Sequence, residues 1–254
     1  MIFTLALAGF AIRVNSLYDE VYKLCADYLA PDAEAALEIT VTPADIAAER
    51  EKSMRQDMAE GRVPVIYPDP YLETLAVYRR IAETMPKRGV FLLHGSAVAL
   101  DGRAWIFTAP SGVGKTTHTK LWLEHIAGSF VVNGDKPLIC CHGGGFEVCG
   151  TPWAGKEGWN LNTSVPLKGV VFLQRGEENQ IEAVPASGVL PQLLTQTYRP
   201  ADTEAQRETL RLLQALCRDV PFYRLFCNTQ PEAALTAFAC LGAAEAAQGG
   251  TAVS

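Results

Sequence analysis

No two of the seven cysteines are spaced C-x-x-C, and the set is odd and scattered: Cys25, Cys140, Cys141, Cys149, Cys217, Cys227 and Cys240. Neither a disulfide framework nor a zinc knuckle is suggested, and the thiols read as reduced. Excess charge of one sign is also missing. The 22 basic and 28 acidic residues leave a net charge of -6, which gives no electrostatic footprint for nonspecific contact with nucleic acid. Long apolar runs are absent as well. The opening MIFTLALAGFAI has no basic flank and falls far short of the roughly 20 residues that cross a bilayer, so it reads as buried strand rather than as a signal peptide. No nucleic acid and no membrane partner are expected, and the expected location is cytoplasmic. What remains is an ordinary folded composition: 48% hydrophobic and 20% charged over 254 residues, enough for one large or two small domains.

Residues 1–90 read as a small α/β N-terminal domain. An apolar, β-branched stretch over 2–14 precedes a helix that Ser16 can cap, with Asp19 in its first turn, running to about residue 29. ALEITVT (36–42) alternates as a strand, and Thr42-Pro43 opens a charged helix to about Gly61. Leu72, Leu75, Tyr78, Ile81 and Met85 recur at spacings of three and four, which makes an apolar helix stripe and therefore core. Residues 91–254 read as a second domain. VFLLHGSAVAL and RAWIFTA form a hairpin across Asp101-Gly102; a helix over 115–126 follows, then strands at FVVN, PLICC and FEVCG. LKGVVFLQ suits a central strand, Thr203-x-x-Gln206 a capping box for a helix to Asp219, and PFYRLFC a last strand before a last helix and a frayed GGTAVS tail.

Chemistry is concentrated in Ala109-Pro110-Ser111-Gly112-Val113-Gly114-Lys115-Thr116, which fits G-x-x-x-x-G-K-[ST] except at its first position. A strand leads in and a helix leads out, so backbone N–H groups of Ser111, Gly112, Val113, Gly114, Lys115, Thr116 and Thr117 can cradle phosphates at the positive end of a helix dipole. In that pattern Lys115 reaches the β- and γ-phosphates and the Thr116 hydroxyl holds Mg²⁺. GTPWAGKEGWN (150–160), rich in glycine, tryptophan and lysine, suits either a substrate lip or an ordinary ordered loop. Arg175 reads as a solvated strand-end arginine or an anion clamp, and the neighbours Cys140, Cys141 and His142 lack a fourth ligand for zinc.

HGSAVALDGRAWIFTAPSGVGKT, then VVNGD and FEVCG, resembles HPr kinase/phosphorylase and more remotely phosphoenolpyruvate carboxykinase, over residues 91 to about 175. The resemblance implies an HPr-kinase-like P-loop domain with a mixed sheet. It implies ATP (or ADP) and Mg²⁺ as cofactors, His94 as part of the active site, Asp135 as the proton acceptor and Glu147 as a Mg²⁺ ligand. Gly134 stands where the family has the first of two aspartates, and Cys149 where it has an arginine. The activity implied is phosphoryl transfer to a hydroxyl, either Ser/Thr of a small protein or peptide or a small-molecule alcohol, with Asp135, His94 and Lys115 as the catalytic set. A nucleotide sensor without turnover and a carboxykinase-like lyase are the alternatives, and self-association is left open.

Overall fold

The structure is a computed structural model that describes residues 1–59 and 61–249, without the side chains of 243–249. The apolar opening is a hairpin of β1 (Ile2–Leu7) and β2 (Phe10–Asn15), to which β3 (Leu37–Thr40) adds in parallel to β2. Between β2 and β3 the expected long helix is only α1 (Glu20–Leu24), followed by a 3-10 turn at Ala26–Tyr28. Tertiary contact overrides the local signal here: the buried Glu73 carboxylate accepts from the backbone N–H of Leu17 and Tyr18, holding the chain out of a helix, and the N-cap position falls to Asp19.

Two longer helices follow. α2 (Pro43–Ala59) starts where Thr42-Pro43 predicts, with the Asp45 carboxylate accepting from both the Thr42 N–H and its hydroxyl. In α3 (Asp69–Thr84), Leu72, Tyr78 and Ile81 are buried, as is Met85 just beyond it. Their cluster takes in β1 to β3 and also Leu92, Leu138, Cys140, Cys149 and Trp153, so residues on both sides of position 90 share one core.

The remaining elements are β4 (Val90–Leu92), β5 (Ser96–Leu100), β6 (Arg103–Thr108), α4 (Lys115–His125), β7 (Phe130–Asn133), β8 (Leu138–His142), β9 (Gly145–Cys149), β10 (Ser164–Arg175), β11 (Gln180–Val184), α5 (Leu190–Gln196), α6 (Thr203–Asp219), β12 (Phe222–Cys227) and α7 (Glu232–Gly249). Nine strands make one mixed sheet along the path β4-β8-β9-β10-β6-β5-β7, with β12 on β10 and β11 on β12. β10 is its centre: it is antiparallel to β9 at its start and parallel to β6 and β12 further on. The fold is therefore mixed α/β with a small N-terminal sheet, as expected.

VFLLHGSAVAL is two strands rather than one, because the chain leaves β8 after β4 and crosses to β6 at His94-Gly95. Only glycine fits that crossing: a Cβ at Gly95 would stand 2.7 Å from Ile106 Cγ2 and 3.1 Å from the Phe107 carbonyl. The cap of α6 is shifted by one residue from the expected box. Asp202 accepts from Ala205 N at 2.9 Å, and the Gln206 side chain donates to the Pro200 carbonyl instead. No described helix is long and apolar enough to cross a membrane. The expected fraying of GGTAVS lies outside the described residues, Gly249 apart.

Candidate functional site

The glycine-rich loop joins the end of β6 to the first turn of α4, so the helix N-terminus and the loop amides face one cleft of about 530 Å³. Ser111, Gly112, Gly114, Lys115, Thr116 and Thr117 line it. Ala109, at the position where the pattern has glycine, is buried against a core that Val113 also joins, so Val113 does not line the cleft. The Lys115 amine donates to the Ala109 carbonyl at 2.9 Å. Burial pushes its pKa below the ordinary lysine value, with Asp135 pulling the other way. Arg175 is exposed at the end of β10, as a strand-end arginine should be, and its guanidinium donates to the Gly112 carbonyl at 2.7 Å, bracing the loop.

Opposite the loop stands the turn after β7. Buried Asn133 builds it, accepting from the N–H of Asp135 (2.9 Å) and Lys136 (2.7 Å) while its amide donates to the Thr151 carbonyl (2.8 Å). That arrangement is an Asx turn, and it aims Asp135 into the cleft. The Asp135 carboxylate lies 3.2 Å from His94 Nε2 and 3.4 Å from the Lys136 amine. Burial alone would raise its pKa, but the His94 hydrogen bond and the Lys136 charge outweigh it and draw the group down to about 2. On the far side, His94 Nδ1 is 2.8 Å from the Gln196 side-chain oxygen, and Gln196 also accepts from the His94 N–H through its backbone carbonyl. The His94 ring is thereby held from both ends.

Segment 150–160 forms part of the cleft wall. Ala154, Gly155, Lys156 and Glu157 line the cleft, whereas Trp153 is core, stacked on Tyr78 at 4.3 Å and donating to the Thr74 carbonyl. This segment accounts for Gly134. A Cβ there would meet the Ala154 carbonyl at 3.0 Å, tighter than ordinary contact, and the Gly134 N–H donates to the Trp159 carbonyl, so a second acid would have to displace this segment. Glu147 is not among the residues lining the cleft. It sits on β9 opposite Cys140 and Pro166, on the strand face it shares with Cys149. Cys149 itself is buried, its sulfur against that of Cys140.

A second cleft, of about 410 Å³, opens on the other side of the Asp135–His94 pair. It shares His94, Ser111 and Asp135 with the first and is otherwise walled by α2, α3, Leu92, Lys136 and Tyr198. Sequence reasoning therefore placed Lys115, Thr116, Asp135 and His94 at residues the fold does bring together. It missed Asn133, Lys136, Glu157 and Gln196. For Asn133 a signal was present, since Asn-Gly-Asp after a strand is a turn with an Asx acceptor; Gln196 arrives from 102 positions away and had none.

A strand, a glycine-rich loop and a helix start thus face a carboxylate–histidine pair within a mixed α/β fold. The chain belongs to the family described as SynChlorMet cassette protein ScmC, whose model matches residues 71–231, more than half of its length. That match includes the loop, His94, Asp135 and segment 150–160. No curated protein matches. Among solved structures, the one titled "Structure of the Hpr(Ser) kinase/phosphatase from Coxiella burnetii" is similar at 10% identity and a TM-score of 0.38, over 61% of this chain and 98% of that one.

Proposed function

We propose that the chain binds ATP with Mg²⁺ at loop 109–117 and transfers the terminal phosphoryl group to a hydroxyl acceptor held in the adjoining cleft. The observation that carries this reading is that Asp135 and His94 line both clefts, one containing Lys115 and the loop, the other open to a second molecule. Phosphoryl transfer asks a protein mainly for positioning and charge stabilisation. The loop amides and Lys115 hold the phosphates; Asp135 orients the acceptor hydroxyl and takes its proton; His94, fixed by Gln196, holds the Asp135 carboxylate. The Thr116 hydroxyl and the Glu157 carboxylate line the phosphate cleft, and such hard oxygen donors suit Mg²⁺. Bound there, Mg²⁺ would neutralise charge on the phosphates. The N-terminal part of the chain has a role in this account, because α2 and α3 wall the acceptor cleft.

Two observations favour a second reading, a nucleotide sensor without turnover: a carboxyl held near pKa 2 is a weak base, and Gly134 offers no second acid. Comparing wild type with Asp135→Asn separates the two. As a kinase, the protein releases ADP with an acceptor present, and the variant loses about 10² to 10⁴-fold in kcat with nucleotide affinity nearly unchanged. A variant as fast as wild type contradicts the catalytic role; tight ATP binding without turnover in any condition favours the sensor.

A further inference from the structure

The second cleft is more cationic than a pocket for a neutral alcohol requires. Lys52 and Arg79 enter it from α2 and α3, and Lys136 enters beside Asp135. Two of these three charges are already matched. Arg79 makes a two-pronged pair with the buried carboxylate of Glu49, and Lys136 lies 3.4 Å from Asp135. Lys52 is the one left over: among the described residues it has no ion-pair partner, although it faces the same cleft as Glu49. Its pKa is lowered, first by desolvation and then by the charge of Arg79, with Glu49 pulling the other way and Lys136 adding to the lowering. The rest of the wall offers Ser53, Gln56 and the apolar surfaces of Leu75 and Leu92, with the reacting carboxylate at one end.

We infer that the acceptor is a compact hydroxyl-bearing acid, its hydroxyl at Asp135 and its carboxylate or phosphate between Lys52 and Lys136. The acceptor role of that anion rests on the phosphoryl-transfer reading; the anion site itself does not. A cleft of about 410 Å³ is at the small end of ligand pockets, which favours a free small molecule over the surface of a folded protein. Specificity follows from the same charges, because only an anionic acceptor gives the exposed Lys52 ammonium and Lys136 a counter-charge inside the cleft.

Two arms test this. In the first, inorganic phosphate is titrated calorimetrically into the Lys115→Ala protein, whose nucleotide loop is disabled. Saturable binding is expected, weakened about ten- to a hundredfold by adding Lys52→Gln and restored by Lys52→Arg. Lys136→Gln serves as the second probe if Lys52→Gln fails to fold. Absence of binding, or binding indifferent to both lysines, overturns the site, whatever the outcome for ATP. In the second arm, ADP release from Mg-ATP by wild type is compared for glycerol 3-phosphate against glycerol and for glycolate against ethylene glycol. The anionic member of a pair should be favoured at least tenfold in kcat/KM, with Lys52→Gln raising its KM and leaving kcat little changed. Equal use of neutral partners, or turnover confined to a neutral serine peptide, overturns the substrate class. If Mg-ATP fails to bind wild type, the kinase reading falls while the phosphate titration still decides the anion site.

Discussion

Asp135 meets two demands that pull in opposite directions. Taking a proton calls for proton affinity, yet His94 and Lys136 hold this carboxyl near 2, ionised throughout the working range. In a loose phosphoryl-transfer transition state the acceptor oxygen has formed little of its new bond, so orienting the hydroxyl counts for more than basicity. A carboxylate fixed by histidine from one side and an Asx turn from the other is built for orientation. The metal set follows the same logic of position. Glu157 lines the phosphate cleft and Glu147 does not, so Glu157→Gln should raise the Mg²⁺ concentration needed for nucleotide binding several-fold, and Glu147→Gln should leave it unchanged. A Mg²⁺ titration of both variants checks this; the opposite ranking would return the metal to β9. At this scale the pattern around Lys115 was readable because its chemistry lies within eight consecutive residues. Lys136, Glu157 and Gln196 were not, because only the fold brings them to the cleft.

The elements place those residues through close approaches that leave little slack. Segment 150–160 lies against the turn after β7, and Gly134 is the point of contact. Restoring an acid with Gly134→Asp should therefore not supply a second carboxylate. It should push the Ala154 carbonyl away and destabilise the protein by about 1–3 kcal/mol, the usual range for overpacking, seen as a lower Tm and weaker nucleotide binding. Unchanged stability with increased activity would show that the segment yields. α3 was legible from its spacing of three and four, α2 from its Thr42-Pro43 start and β10 from its apolar run. The break at His94-Gly95 was not, since apolar residues flank it on both sides and the packing of Ile106 and Phe107 demands it. The short α1 escaped for a similar reason: its competitor, Glu73, lies more than fifty residues away on α3.

At the scale of the whole molecule, one core joins the N-terminal sheet, α3, strands β4, β8 and β9 and Trp153, so the acceptor wall and segment 150–160 of the phosphate cleft share one packed body. Another core, behind the loop, contains His118 on α4, whose Nδ1 has no partner among the described residues and whose Nε2 accepts from the Trp122 indole. Burial lowers its pKa to about 4. As pH falls from about 6.5 towards 4, the unfolded chain binds a proton that the folded one refuses, so stability should drop by about 3 kcal/mol over that window. Thermal unfolding against pH should show this, with a flatter slope in His118→Asn; an equal slope would assign it elsewhere. The most direct test of the central claim is calorimetric titration of Mg-ATP into wild type and Lys115→Ala. The account predicts stoichiometric binding by wild type and its loss in a variant that remains folded by circular dichroism; equal affinity in the two proteins would contradict it.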